Sequence, residues 1–355
     1  MFAYVGCYTT PDRSGRGAGI AVYRIAPDSS AWECVQLVVD VPNPSFLALD
    51  SRRRTLYCVH GGNDFRAVSA YAIDRESGRL TFLNTQPSGG ANPVHVDVHP
   101  TGRFLAVANY TEGTVAVLPI NADRTLAPPS DVVTQTGDPG PNRAEQGSAH
   151  PHHSPFDPAG RFLAVPDKGL DRVFVYHFDA ARGTLVPGDP PVVATQPGAG
   201  PRHVAFHPRL PHAYVINELD STITTYDYDA ARGVLTTRQV VSTLPPGFTG
   251  ASATAEIAIA PSGRFLYGSN RGHDTVAIFA IDQATGALTA TGWAPTLGTV
   301  PRFFALDPPG AFLHCANQES DTIVAFRIDP QTGALTPTGH IVHTGSPVCI
   351  VFAGA

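Results

Sequence analysis

Hydrophobic and polar positions alternate in a recurring block. A proline-bearing turn leads into a short apolar run, a polar corner follows, and an alternating apolar/polar run comes next. The block reads "HPTGRFLAVANYTEGTVAVLPI", "DPAGRFLAVPDKGLDRVFVYHF", "HPRLPHAYVINELDSTITTYDY", "APSGRFLYGSNRGHDTVAIFAI" and "DPPGAFLHCANQESDTIVAFRI". "DSRRRTLYCVHGGNDFRAVSAYAI" is a looser copy, and "AYVGCYTTPDRSGRGAGIAVYRI" is a seventh that lacks its first strand. Alternation at period two predicts strands. The polar corner falls at Cys7, His60, Asn109, Asp167, Asn217, Asn270 and Asn317, so copies are spaced by 53, 49, 58, 50, 53 and 47 residues. A repeat of this length with four short strands predicts a propeller blade, because one such sheet must bury both faces against its neighbours.

"DRESGRL", "DAARGTL", "DAARGVL", "DQATGAL" and "DPQTGAL" follow the third strand of five copies and predict hairpin turns. A fourth strand follows each. The first copy lacks an innermost strand, and the chain ends in a spare one, "SPVCIVFAGA". The expectation is an all-β, seven-bladed β-propeller with four-stranded antiparallel blades. The C-terminal strand joins the N-terminal blade, which removes two open sheet edges. The pattern predicts one domain over residues 1–355.

Composition agrees with a turn-rich β protein: 43% hydrophobic and only 15% charged residues, with 34 glycines and 33 prolines. The formal charge of -6 and the lack of a basic stripe argue against nucleic-acid partners. No apolar run is long enough for a transmembrane helix, so no membrane partner is expected. The start "MFAYVGCYTT" reads as a strand, without signal-peptide features. Five cysteines without a C-x-x-C fit buried free thiols in a reducing, cytoplasmic setting.

In such a blade the innermost strand begins where the second strand ends, because antiparallel neighbours run back to their origin. One rim of the central channel therefore collects His95, His150, His152, His153, Arg202, His203, Glu256 and Arg302 from the strand starts. The corners add Asn109, Tyr110, Asp167, Lys168, Asn217, Glu218, Asn270, Arg271 and Gln318. Glu218, Arg271 and Gln318 differ from one another at similar sites just past the corner Asn, so the repeat does not ask for them. The corner Asn residues also have a structural reading, since Asn bonds its own backbone in turns. Arg103, Arg161 and Arg264, each in "GRF", together with His99 and His207, belong to the opposite rim and read as structural. The longest spacing reflects an insertion, "QTGDPGPNRAEQGSA" (135–149), expected to form a lid or wall over the rim.

"HPHHSPFDP" (150–158) places three histidines in four positions. His150 and His152 share a strand face and can chelate. Zinc would need a further ligand such as His95, Glu256 or Glu218, and no metal motif supports it. His153, of the other parity, reads as a hydrogen-bonded channel residue. The preferred reading is a general acid/base role for His152, with His150 next.

At these residues the chain resembles the seven-bladed propeller lactonase family. That family includes propeller-type 6-phosphogluconolactonases and the carboxymuconate lactonizing enzymes. The resemblance rests on "AHPHHSPFDPAGRFLAVPDKGLDRVFVYHF", "GPRHVAFHP…YVINELDSTITTYDYD" and "AEIAIAPSGRFLYGSNRGHDTVAIF", and spans essentially the whole chain. It implies a rim site built from His, Arg and Glu that needs no metal or other cofactor. The family's H-P-H falls on His150 and His152, its P-R-H on Arg202, its N-E on Glu218, and its A-E-I…S-N-R on Glu256 and Arg271. His153 and Pro155 depart from the family pattern.

The implied activity is hydrolysis of a small anionic sugar lactone of the 6-phosphogluconolactone type. His152, Glu218, Arg202 and His150 are the expected catalytic groups. Arg271, Glu256, His95, Arg302, Asn109 and Gln318 are the expected substrate-binding groups. The alternatives are a muconate cycloisomerase and a non-enzymatic YVTN-like binding scaffold. The expected partner is a small-molecule lactone or muconate, and the expected state a monomer or weak homo-oligomer.

Overall fold

The computed structural model describes residues 1–26, 31–50, 52 and 54–354. It contains seven antiparallel sheets. Blade 1 combines strands within 2–38 with Pro347–Ala353, which pairs with Phe2–Cys7 as the innermost strand. Blades 2 to 7 occupy 44–87, 93–134, 150–194, 201–242, 253–295 and 301–343. The ring thus closes by the C-terminal strand, as the spare end strand predicts.

Burial follows strand position. The second strands Thr55–His60, Phe104–Asn109, Phe162–Asp167 and His212–Asn217 are buried at every residue, because neighbouring blades cover both faces. Outer strands such as Thr184–Ala194 are largely exposed. Blades are tied to one another by repeated bonds. The hydroxyls of Tyr4, Tyr214 and Tyr267 donate to the carbonyls of Gly78, Gly286 and Gly333 in the next blade's hairpin. These glycines sit at φ of 73°, 71° and 73°, a region that side chains disfavour.

Blade 4 differs from the other six. It has three regular strands, and the segment in the innermost place touches its neighbour only through isolated bridges, Pro151 to Asp167 and Phe156 to Leu163. The cause is local. Pro155 in the inner segment and Pro166 in the strand beside it both lack an N–H, so the ladder between the two bridges cannot be completed.

The other inner strands share an irregularity at the rim. Register shifts occur at Pro44/Phe46, Pro93/His95, Pro201/His203, Thr254/Ile257 and Pro301/Phe303. A bulge of this kind leaves a residue unpaired and re-aims its side chain. Ser45, Val94, His152, Arg202, Arg302 and Val348, each directly after a proline, line a small void of about 10 Å³ at the channel mouth. That is room for about one water. Of the residues one step further on, Phe46, His203 and Phe303 also reach this void, while His95 and His153 pack within the channel.

Candidate active site

The corners are held by one device. Asn109, Asn217, Asn270 and Asn317 donate their side-chain amides to the hydroxyls of Thr114, Thr222, Thr275 and Thr322 at the start of the next strand. Asn109 also donates to the Ser88 carbonyl at 2.9 Å and is fully buried. Its NH2 group is spent on the corner, a turn-holding place, while its Oδ1 is buried without a partner.

In blade 4 Asp167 takes the corner. Its Oδ1 accepts from the backbone N–H groups of His150, Gly169 and Leu170 at 2.8, 2.9 and 3.0 Å. Burial pushes its pKa up to about 7 despite these donors, and Oδ2 is buried without a partner. This carboxyl fixes the loop that carries Lys168.

The residues after the corners converge on one carboxylate. Glu218 Oε1 lies 2.8 Å from Lys168 Nζ, and Oε2 lies 2.9 Å from Arg202 Nε and 3.2 Å from Arg271 Nη2. The three cations come from blades 4, 5 and 6, which no local sequence pattern brings together. Burial opposes ionisation of Glu218, but Arg271, Lys168 and Arg202 outweigh it and hold the pKa well below the carboxylate range. Glu218 is therefore a fixed anion at the centre of a cationic cage.

Glu256 takes the opposite state. Burial pushes its pKa up to about 8, against a weaker pull from Arg202. Its Oε1 faces His203 Nδ1 at 3.2 Å and accepts from the Ile257 N–H at 2.9 Å, while Oε2 is buried without a partner. His203 Nε2 faces Arg202 Nη1 at 3.2 Å. Because an arginine N–H can only donate, Nε2 is the acceptor and Nδ1–H points at Glu256. Two glutamates three contacts apart thus hold different protonation states.

The histidines separate. His150 stacks on Tyr110, with ring centroids 4.3 Å apart and planes 5° apart, and its Nδ1 reaches the Tyr110 carbonyl at 2.9 Å. His152 lines the channel mouth beside Arg202 and Arg302. Its Nδ1 is buried without a partner. Burial, then Arg202 and His203, hold its pKa well below neutral. His153 stacks on His203 at 4.3 Å and packs against His95 at 3.9 Å, with Phe46 at 4.4 Å from His95. His95 Nδ1 bonds Ser154. His95 and His153 are channel filling below the mouth, both neutral through burial. His95 is not brought to the rim group around Glu218.

Arg302 lines the mouth, and Gln318 lies at the blade 7 corner with Oε1 buried and unpartnered. The 135–149 insertion packs as a wall. Gln146 donates to the Lys168 carbonyl and to Asp171 at 2.8 and 2.7 Å, and Glu145 reaches Lys168 Nζ at 2.7 Å. Gly169 permits this approach, since a Cβ there would fall 1.7 Å from the Ser148 carbonyl oxygen. Lys168 and His203 belong to the site's hydrogen-bonded core although they are absent from the expected catalytic and binding sets. Their signal was position: Lys168 follows the blade 4 corner as Glu218 follows the blade 5 corner. Tyr8, from the loop after the first strand, also lines the mouth. No group of three or more His, Cys, Asp or Glu able to hold a metal is found among the described residues.

A family model described as lactonase, 7-bladed beta-propeller, matches residues 2–352. The chain belongs to the seven-bladed β-propeller lactonase family. This lactonase is 35% identical to the 6-phosphogluconolactonase of Bacillus subtilis over 301 residues, covering 85% of this chain and 83% of the relative. It is 34% identical to the periplasmic gluconolactonase of Pseudomonas aeruginosa, with a TM-score of 0.92 and 99% of each chain covered. A crystal structure from Bacteroides fragilis, described as a 6-phosphogluconolactonase by assignment only, gives a TM-score of 0.91 at 32% identity, covering 99% of this chain and 98% of the other. Among the described residues no helix is long and apolar enough to cross a membrane.

Proposed function

We propose that this lactonase hydrolyses a phosphorylated sugar lactone of the 6-phosphogluconolactone type, with His152 as general base and acid. The observation that carries the reading is that His152, with Nδ1 unpartnered, lines the mouth beside Arg202, one of the three cations that cage the Glu218 anion. Names of relatives in both the sequence and structure comparisons support the substrate class.

The chemistry follows from what each group can still do. Glu218 is fully engaged by three cations and is a poor proton carrier. Its role is to hold Arg202, Arg271 and Lys168 in place. Arg202 and Arg271 keep their remaining N–H groups for the carbonyl oxygen of the substrate. A water at the mouth attacks the lactone carbonyl carbon and gives its proton to His152. The tetrahedral oxyanion is held by the guanidinium groups, whose charge is preorganised and costs no reorganisation. Collapse breaks the ring C–O bond, and the imidazolium returns the proton to the departing alkoxide. The product is the open hydroxy acid. His150, stacked on Tyr110, walls the mouth beside Lys168.

The test is hydrolysis of 6-phosphogluconolactone, gluconolactone and a muconolactone, followed by pH-stat against the spontaneous rate, with and without EDTA. Fastest turnover of the phosphorylated lactone, unchanged by EDTA, is the expected result. Turnover of the muconolactone alone would instead assign cycloisomerase chemistry.

A further inference from the structure

Beside the cage around Glu218 lie two arginines with no hydrogen-bonded carboxylate among the described residues. Arg302 lines the channel mouth with His152 and Arg202, and its guanidinium has no carboxylate partner among the described residues. It lies over the ring of Tyr8, 5.3 Å from the centroid. Arg13, from the loop after the first strand, lies over the same ring at 5.7 Å. Arg13 gives one bond to Asn92 Oδ1 at 3.0 Å, and its Nε is buried with no partner. The nearest carboxylate, Asp12 Oδ2, is 3.9 Å away, beyond hydrogen-bond reach.

The other arginine of this loop, Arg16, behaves differently. Arg16 is paired with Asp321 at 2.8 Å and Glu319 at 3.2 Å, and donates to the Gln318 carbonyl at 2.7 Å. It pins the loop across to the blade 7 corner. Asn43 Oδ1 holds the other side by accepting from the N–H groups of Thr9 and Thr10. Gly15 and Gly17 let the loop fold tightly, since a Cβ on either would fall within 2.6 Å of the neighbouring chain. The loop is therefore rigid where it presents Arg13, which is what a binding group requires.

We propose that Arg13 and Arg302, gathered over Tyr8, form the subsite for the phosphate monoester of the substrate, and so set the preference for phosphorylated over neutral sugar lactones. The inference rests on the lactonase reading above and deepens it. Charge supports the assignment. Glu218 and Glu145 offset two of the three charges of Lys168, Arg202 and Arg271. Arg302, and Arg13 with only the loose 3.9 Å pairing to exposed Asp12, add to the one charge left over, which suits a group carrying about -1.5 to -2 at neutral pH. The planar guanidinium fork suits a phosphate, and two forks can share its three terminal oxygens. Tyr8 orders both forks by stacking. Reaction and recognition then occupy adjacent sectors of one mouth: Glu218 holds the first, and the substrate's own dianion neutralises the second.

The experiment uses the full chain and two single variants, Arg13→Gln and Arg302→Gln. Binding of inorganic phosphate is measured by calorimetry, and KM is measured for 6-phosphogluconolactone and gluconolactone. Each variant is expected to weaken phosphate binding at least tenfold and to raise KM for the phosphorylated lactone at least tenfold. KM and kcat for gluconolactone should stay within about threefold in Arg13→Gln, which also reports that the variant is folded. Phosphate affinity and lactone preference unchanged in both variants would overturn the subsite. Wild-type protein that binds no phosphate would overturn it as well. Phosphate binding that is lost in the variants, in a protein that turns over neither lactone, would uphold the anion subsite and defeat the lactone reading.

Discussion

At the far end of the channel His99 and His207 spend both ring nitrogens on backbone or hydroxyl partners. His99 bonds the Gly160 carbonyl and Thr101, and His207 bonds the Gly263 carbonyl and the N–H groups of Arg209 and Leu210. Arg103, Arg161 and Arg264 lie over the Phe that follows each of them, at 5.6, 6.0 and 5.3 Å. At the near end His152 Nδ1, Glu256 Oε2, Arg271 Nε and Gln318 Oε1 are buried with no partner. Both ends use histidine and arginine. The difference is that the far-end His and Arg residues repeat from blade to blade and find their partners in local backbone, a hydroxyl and the adjacent Phe rings, whereas the near-end residues do not repeat. Unpartnered buried atoms occur at both ends, Asp157 Oδ2 and Tyr228 Oη among them at the far one, so what sets the near rim apart is that its unspent atoms include those of non-repeating His, Glu, Arg and Gln residues around one cation-caged carboxylate.

The largest effect that tests this contrast is at Glu218. Glu218→Gln removes the anion that holds Lys168, Arg202 and Arg271 together. Lactone kcat/KM should fall at least a thousandfold, and breaking a buried ion pair costs about 3–5 kcal/mol of stability. Steady-state kinetics and urea unfolding check both, and a variant with a tenth of wild-type activity would erase the distinction between the two ends.

His152→Ala should lower kcat at least a hundredfold, the usual weight of general acid–base catalysis, while leaving the phosphate affinity in place. Stopped-assay kinetics alongside calorimetry separate the two.

Glu256 carries a pH signature. Its pKa is raised in the folded protein to about 8, so the folded state binds more protons than the unfolded chain between the two pKa values. The stability that Glu256 contributes is present in acid and is lost as pH rises toward 8, by up to about 1.4 kcal/mol per pH unit. Unfolding of wild type and Glu256→Gln across pH 5 to 9 should show the variant gaining relative stability as pH rises, then levelling above pH 8. The buried histidines act in the opposite sense, since His95, His152, His153 and His203 have lowered pKa values and favour unfolding as pH falls below that of a free imidazole. The difference between variant and wild type isolates Glu256 from them.

The smallest effect on activity belongs to the far end. His207→Ala should leave lactone kcat/KM within twofold and lower stability by about 1–3 kcal/mol, because Gly263, Arg209 and Leu210 lose a buried partner. A tenfold loss of activity there would show that the two ends are coupled.

Much of the architecture was legible in the chain. The period near 50 residues, the hairpin glycines and the spare end strand lead to seven blades and their closure, because strand alternation and turn chemistry are local properties. The rim was legible too, since antiparallel pairing places strand starts beside corners. Depth within the rim was not. His95, His152, His153 and His203 look alike in "NPVH", "HPHH" and "GPRH", yet His152 and His203 reach the void at the mouth while His95 and His153 fill the channel. Depth depends on how each inner strand meets its neighbour and on what fills the channel beside it, neither of which is a local property of the sequence. The proline offers a partial signal, since the residue directly after it faces the void in six of the seven blades. Asn109 was ambiguous for a related reason: its partners Ser88 and Thr114 come from flanking turns and strands.

The sequence by itself determined the number of blades, the way the ring closes, and the rim on which non-repeating His, Arg and Glu residues gather. Each depends on short-range periodicity and on the count of copies. Only the tertiary structure decided what those residues are to one another. Glu218 is an anion because Lys168, Arg202 and Arg271 arrive from three different blades, and Glu256 is neutral because its pocket lacks such a group of cations. Protonation state depends on distance and burial in space, and residues up to 103 positions apart in the chain acquire those only when the ring has closed.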